Sequence, residues 1–143
     1  MRLKQFLEMR GADSGPLSRI SGLQALWAGV FYDDAALNAA WDLCKGWSIE
    51  DHNALRAAAA RDGLKATIGG RSLRDVAVDM VAIAAEGLKA RARLNGAGED
   101  ERLYLTELAD IADTGITPAE RLLELYHGPW QGDASRAFEA TAY

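Results

Sequence analysis

Apolar residues recur at three- and four-residue spacing along most of the chain, and this spacing is typical of amphipathic α-helices. The pattern predicts one long helix that starts at Pro16 and a second over Ala35–Lys45, with Asp33-Asp34 breaking the first and capping the second. Gly46 is predicted to end the second helix. Further helices are predicted after start signals at Ser48, Ser72 and Thr117, over Glu99–Asp113 and over Asp133–Tyr143.

The apolar positions of these helices predict the core. Cys44 is expected to be a buried small hydrophobe rather than a reactive thiol. Gly87 interrupts the longest predicted helix and weakens it unless another element packs against it. The side chains expected on buried faces are Ile20, Leu23, Leu26, Trp27, Val30, Phe31, Leu37, Ala40, Trp41, Cys44, Val76, Met80, Ile83, Ala84, Leu88, Leu103, Leu105, Leu108, Ile111, Leu122, Leu123, Tyr126, Phe138 and Tyr143.

The first stretch of the chain departs from the helical pattern and predicts a β-strand over residues 1–11. Alternation in a strand puts Glu8 and Arg10 on one face, about 6.6 Å apart. A carboxylate and a guanidinium in that arrangement could share a magnesium ion and a phosphate. For an isolated E-x-R, a surface strand with a cross-strand salt bridge is by a wide margin the better explanation, because two charged residues two positions apart are common. The motif alone therefore does not establish a site.

The predicted fold is mainly α: a single compact domain over 1–143, with one N-terminal strand in 1–11 and about six to seven helices in 16–143. A lone strand cannot satisfy its own backbone donors and acceptors. We therefore expect that the strand mediates dimerisation or belongs to a sheet whose other strands lie outside this chain.

Composition narrows the function. A net charge of −5 over 143 residues argues against binding to nucleic acid. No apolar run predicts a membrane span or signal peptide, so a cytoplasmic protein is expected. The lone Cys44 excludes an intrachain disulfide and a cysteine-built zinc site, and with only His52 and His127 besides, a His/Cys metal centre is not expected.

Three weaker candidates have simpler structural explanations. Gly69-Gly70 could approach a phosphate, but it lacks the spacing of a phosphate-binding loop and favours a turn. Lys89, Arg91 and Arg93 could form an anion site, but cations are also favourable at a helix C-terminus. His127 could act as an acid or a base, but no partner is evident and a helix-end position accounts for it.

The chain resembles the C-terminal part of the plant and proteobacterial type of glutamate–cysteine ligase. Several segments carry the resemblance in register, together with a closing F-x-x-x-x-Y at Phe138 and Tyr143: RLKQFLEMRGADSGP (Arg2–Pro16), ALWAGVFYD (Ala25–Asp33), DGLKA (Asp62–Ala66), EGLKARARLNGAGEDERLYL (Glu86–Leu105) and TGITPAERLLELYHGPW (Thr114–Trp130).

The resemblance implies an ATP-dependent reaction in which the γ-carboxylate of L-glutamate is phosphorylated and then attacked by the amine of L-cysteine, the first step of glutathione synthesis. It implies that Glu8 is a Mg²⁺ ligand. It implies that Arg10 is a catalytic and nucleotide-binding residue that contacts the transferring phosphoryl group or the substrate glutamate. Asp13 is assigned to the turn.

The sequence also departs from the family pattern. Ser14 and Gln24 replace a common glycine and proline, and Ser21 stands where plant members carry a redox-active cysteine, so their disulfide switch cannot operate here. Family members continue upstream of the E-x-R strand, which suggests a fragment, an internal start or one half of a split enzyme.

Because most of the family's active site lies upstream, we expect that this chain alone does not ligate glutamate to cysteine. Its expected partners are a separate N-terminal ligase half, or a second copy bound through the N-terminal strand. The alternatives are a non-catalytic, ligase-derived interaction module and a truncated reading frame with no function of its own.

Overall fold

A computed structural model describes residues 2–3, 5, 7–8, 11–12 and 15–142. Within these residues the chain forms seven α-helices, two short β-hairpins and two 3-10 helices, Gly63–Lys65 and Glu101–Leu105. The mainly α fold predicted from the sequence is confirmed. The strands are β1 (Arg2–Leu3), β2 (Leu7–Glu8), β3 (Thr67–Ile68) and β4 (Arg71–Ser72), and the helices are α1 (Leu17–Phe31), α2 (Asp34–Cys44), α3 (Ile49–Asp62), α4 (Leu73–Arg91), α5 (Thr106–Thr114), α6 (Pro118–His127) and α7 (Arg136–Ala140).

The N-terminal strand differs from its prediction. Instead of one strand over 1–11, β1 and β2 form an antiparallel pair in which Arg2 lies opposite Glu8 and Leu3 opposite Leu7. The two segments supply each other's backbone partners, which a lone strand lacks. The second hairpin turns at Gly69 and Gly70, whose φ angles of +57° and +77° are those of a tight hairpin turn.

Helix starts follow their local signals. Asp33 caps α2 by accepting a hydrogen bond from the Ala36 amide at 2.8 Å, and Ser72 caps α4 through the Asp75 amide. Ser48 and Thr117 each form a reciprocal capping box, on α3 and α6. These caps are confirmed, although the predicted helix over Glu99–Asp113 is divided into the 3-10 helix Glu101–Leu105 and α5.

The core lies where α1 crosses α4, with α2, α5 and the 3-10 helix Glu101–Leu105 packed around the crossing. Its centre is Ala84 and Leu88, both with no exposed surface. Gly29 and Gly87 allow the two backbones to touch: a Cβ at Gly29 would overlap the Ala84 carbonyl, and one at Gly87 would overlap the Gly29 carbonyl. Gly87 is therefore required by packing against α1.

Several predicted core residues lie on the surface. Trp41 is 62% exposed, Leu37 is also exposed, and Cys44 is half-buried. No residue of α6 is buried and Leu123 is exposed, as is Phe138 on α7. On α2 it is instead the small residues Ala36 and Ala40 that are buried, Ala36 beside Gly87 of α4 and Ala40 in the core cluster. Tyr143 lies outside the described residues.

No helix in the described part of the chain is both long enough and apolar enough to span a membrane.

Candidate functional site

Of the two residues predicted to carry the chemistry, Glu8 is described and Arg10 is not. Glu8 is the last residue of β2 and is half-buried, opposite Arg2 in the hairpin register. Arg10 and Asp13 lie outside the described residues, so the predicted proximity of Glu8 and Arg10 remains a prediction. Gly11 and Ala12, which follow the motif, are exposed to solvent.

The segment that follows the E-x-R motif is fixed where it enters α1. Gly15 is buried, and a Cβ at Gly15 would lie 3.2 Å from Cδ of Arg19, so the Gly15 backbone rests against the Arg19 side chain. Pro16 is extended, with φ −61° and ψ 162°, and occupies the N-cap position without a side-chain capping hydrogen bond; the helix begins at Leu17, one residue later than predicted. Arg19 therefore contacts the backbone at Gly15, between the motif and α1.

Arg19 also joins this segment to α5. Its Nε donates a hydrogen bond to Glu107 Oε1 at 2.8 Å, and Ser18 Oγ donates to Glu107 Oε2 at 2.6 Å. The hydrogen bond from Ser18, then the hydrogen bond and charge of Arg19, lower the pKa of Glu107 below its ordinary value despite partial burial. Both carboxylate oxygens are therefore engaged, and the first turn of α1 is fixed to a helix almost ninety residues further along the chain.

The Ser18–Arg19–Glu107 cluster was not predicted from the sequence. One signal pointed to it, since Arg19 is the only charged residue in α1. A lone charge in an otherwise apolar helix usually has a specific partner. The identity of that partner, however, depends on the packing of α5 against α1, which local patterns do not encode.

The groups that could bind magnesium in this chain are its carboxylates, with the histidines and the cysteine as further metal donors. No three of them within the described residues are close enough together to hold a metal ion. Magnesium typically binds one or two protein carboxylates and completes its shell with water and substrate phosphates. The half-buried carboxylate of Glu8 fits the role of one such ligand, and the remaining ligands would come from the nucleotide or from other protein residues.

Two of the three basic residues predicted near the end of α4 form structural pairs, and the third, Arg93, lies beyond the helix and is exposed. Lys89 pairs with Glu86 at 3.2 Å. Arg91 donates to Glu101 at 3.1 Å and lies 5.0 Å from the centre of the Tyr32 ring. Because the Arg91 side chain bridges α4 to the 3-10 helix Glu101–Leu105 and to Tyr32, its position agrees with the structural interpretation rather than with an anion site.

The other weak candidates also have structural positions. His127 is the last residue of α6, is exposed, and meets the Tyr126 ring edge-on at 5.1 Å. A cavity of about 430 Å³ between α3 and α6 contains a salt bridge of 2.9 Å between Lys65 and Glu120. The hydrogen bonds from Lys65 and Thr117 lower the pKa of Glu120 to about 2, so the cavity holds a matched pair rather than a free charge.

Comparison with known proteins identifies the class. The model of the glutamate–cysteine ligase family 2 matches residues 1–140, which is nearly the whole chain. The chain therefore belongs to this family of ligases. The match extends through the E-x-R motif and all seven helices of the described residues.

Individual relatives agree with the family. All 143 residues align with the chloroplastic glutamate–cysteine ligases of Solanum lycopersicum at 42% identity and Nicotiana tabacum at 41%, covering 26% of the length of each. The ligase of Arabidopsis thaliana is 39% identical, again over 26% of its length. The chain thus spans about a quarter of these relatives. Their chloroplast location belongs to those proteins, and a cytoplasmic location for this chain stays a prediction.

Proposed function

We propose that this chain supplies the E-x-R segment and the helical scaffold behind it to an ATP-dependent glutamate–cysteine ligase. The observation that carries the proposal is the family match over residues 1–140, which includes Glu8 and Arg10. The half-buried position of Glu8 at the end of β2 supports the proposal that its carboxylate binds Mg²⁺ at that end of the strand.

The proposed reaction has two steps. The γ-carboxylate of glutamate attacks the terminal phosphorus of ATP, which forms γ-glutamyl phosphate and releases ADP. The amine of cysteine then attacks the γ-carbonyl carbon; the bond to the phosphate oxygen breaks, inorganic phosphate leaves, and the amine loses a proton as the amide forms.

In this proposal, Glu8 is a ligand of Mg²⁺, which when bound neutralises phosphate charge. Arg10 donates forked hydrogen bonds to phosphoryl oxygens or to the substrate glutamate, and holds them in line for transfer. Phosphoryl transfer depends mainly on positioning and electrostatic stabilisation, so the loss of either the acid or the arginine at the phosphate would slow the reaction strongly. Ser18, Arg19 and Glu107 would keep the segment that follows these two residues in place.

The test uses a chimera in which this chain replaces its matched segment in the Solanum lycopersicum ligase. Arg10→Lys keeps the charge but loses the forked geometry, so we expect kcat for γ-glutamylcysteine formation to fall about a hundredfold or more. The matched control is Arg56→Lys, on the exposed surface of α3. An Arg10→Lys chimera as active as the Arg56→Lys control would remove Arg10 from the chemistry.

A second candidate function is a non-catalytic interaction module derived from the ligase. It is favoured by the exposure of large apolar side chains, among them Leu17 at 77% and Phe138 at 80%. This alternative predicts that Arg10→Lys leaves the activity of the chimera unchanged, so the same experiment separates the two.

A further inference from the structure

Helix α1 is apolar around most of its circumference, yet only one side of it is covered within the described residues. The covered side carries Gly22, Ala25, Gly29 and Val30, which are buried against α4 and its neighbours. A helix that is apolar all round is normally buried all round. On the other side of α1, apolar side chains are therefore exposed to solvent, although the composition of the helix predicts that they are buried.

That other side is a continuous row of side chains on successive turns. Leu17 is 77% exposed and Ile20 44% exposed, and Gln24, one turn further on, is also exposed. Trp27 and Phe31 continue the row, half-buried and stacked with ring centres 5.3 Å apart. Phe31 packs against the edge of the core, so the exposed part of the row is its first half. All five positions project from the same side of the helix, because they follow three- and four-residue spacing.

The row borders a groove between α1 and the 3-10 helix Glu101–Leu105. This groove of about 310 Å³ is lined by Gln24 and Ala28 on one wall and by Tyr104 and Glu101 on the other. A second groove of about 230 Å³ shares Tyr104 and Glu101 and extends the surface to more apolar side chains, Leu103 and Leu94. Tyr104, Leu103 and Leu94 are 44%, 39% and 64% exposed.

The combined area, named here the α1–Tyr104 surface, consists of Leu17, Ile20, Gln24, Leu94, Leu103 and Tyr104. Two ion pairs lie beside it, Arg19 with Glu107 and Glu101 with Arg91, and the exposed side chains of Arg93 and Glu99 also line the second groove. The six side chains of the surface itself are apolar or neutral, and most of them are aliphatic or aromatic. Such a composition is typical of the buried centre of a permanent interface.

We propose that the α1–Tyr104 surface binds the part of the ligase that this chain does not contain. The inference rests on the proposed function, and it adds the place where the two parts meet. The matched relatives are almost four times as long as this chain, so a large polypeptide is available to cover the surface. An apolar partner fits the centre of this surface better than a charged one, because its six side chains are uncharged and the neighbouring Arg19 and Glu101 are already held in ion pairs.

The first measurement is carbene footprinting by mass spectrometry, on the isolated chain and on the chimera described above. We expect labelling of Ile20 and Tyr104 to fall about fivefold or more in the chimera, as side chains in an interface core lose solvent contact. Unchanged labelling of both residues in a folded chimera would overturn the proposal. If the chimera does not fold, the chain is mixed with the complementary portion of the tomato ligase, and unchanged labelling there overturns it as well.

The second measurement compares Ile20→Glu with Ile49→Glu, a matched substitution at an isoleucine that is 75% exposed at the start of α3. We expect Ile20→Glu to lower the melting temperature of the chimera and to leave that of the isolated chain unchanged, while Ile49→Glu lowers neither. Equal effects of Ile20→Glu on both proteins would mean that the residue acts within the chain alone.

Two further outcomes separate the surface from the chemistry and from self-association. An active chimera whose α1–Tyr104 surface stays fully labelled overturns the docking and leaves the proposed function standing. An inactive chimera whose α1–Tyr104 surface is protected supports the docking and contradicts the proposed function. Light scattering of the isolated chain completes the test. A dimer that Ile20→Glu dissociates would assign the surface to a second copy and overturn the proposal.

Discussion

The two sides of α1 differ in how completely the chain covers them. On the inner side Gly29 lies against the Ala84 carbonyl, and Ala84 and Leu88 of α4 have no exposed surface. On the outer side Leu17 and Ile20 face solvent. The inner side thus makes a core from this chain's own residues, whereas the outer side has an apolar composition without a partner in the described residues. The inner side of α1 therefore stabilises the fold of this chain, and the outer side is the one available to bind another polypeptide.

The largest effect is expected from adding a methyl group at the helix crossing. In Gly87→Ala the new Cβ would overlap the Gly29 carbonyl and lie 3.0 Å from the Ala36 Cβ, so the helices must move apart. We expect the free energy of unfolding, measured by urea denaturation, to fall by about 3 kcal/mol. Gly46→Ala is the control, because nothing lies within 4 Å of a Cβ at Gly46. Equal stability of the two variants would contradict the tight crossing.

A smaller effect is expected at the junction of α1 and α5. Arg19→Ala removes one of the two hydrogen-bond donors to Glu107 and the charge beside it, and we expect a loss of about 1–2 kcal/mol in the free energy of unfolding. Arg56→Ala, on the exposed surface of α3, is the control. A loss no greater than that of the control would show that the junction contributes little.

The same junction predicts a pH dependence. The pKa of Glu107 is lowered in the folded chain from its ordinary value of 4.5, so this group stabilises the fold above that value. The contribution disappears as the pH falls through the lowered pKa, because the carboxylate must then be protonated in the folded state too. Urea denaturation is measured at several pH values between 3 and 6, a range that brackets the ordinary carboxyl pKa. As the pH is lowered, the free energy of unfolding should fall more steeply for the wild type than for Glu107→Gln. Parallel curves would contradict the assignment.

The cap of α6 should matter only locally. Thr117→Ala removes the acceptor for the Glu120 amide and one half of the capping box, at a cost of about 1 kcal/mol to the helix. Because no residue of α6 is buried, we expect faster hydrogen exchange confined to α6, with the α1–α4 crossing unaffected. Thr117→Ser should restore protection. Faster exchange in α4 as well would mean that α6 is coupled to the core.

The contrast between the two sides of α1 also explains which predictions from the sequence were accurate. The caps at Asp33, Ser48, Ser72 and Thr117 depend on residues three positions apart, and all four are confirmed. The mainly α fold follows from spacing along single helices and is confirmed too. Local chemistry was therefore sufficient wherever both partners lie within one turn.

Apart from the N-terminal hairpin and the divided helix over Glu99–Asp113, the errors arose where a prediction needed distant contacts. Spacing marks Trp41, Leu123 and Phe138 as apolar-face residues, but all three are exposed, because spacing does not reveal whether another element covers the face. The Ser18–Arg19–Glu107 cluster was missed because its partners are far apart in the sequence. The roles of Glu8 and Arg10 came from resemblance, and they remain predictions for experiment.

The most direct test of the account is a comparison of γ-glutamylcysteine formation by the isolated chain and by the chimera with the tomato ligase, at saturating ATP, Mg²⁺, glutamate and cysteine. We expect no turnover above background for the isolated chain and ATP-dependent turnover well above background for the chimera. ATP-dependent ligation by the isolated chain would contradict the claim that this protein is one part of a larger active site.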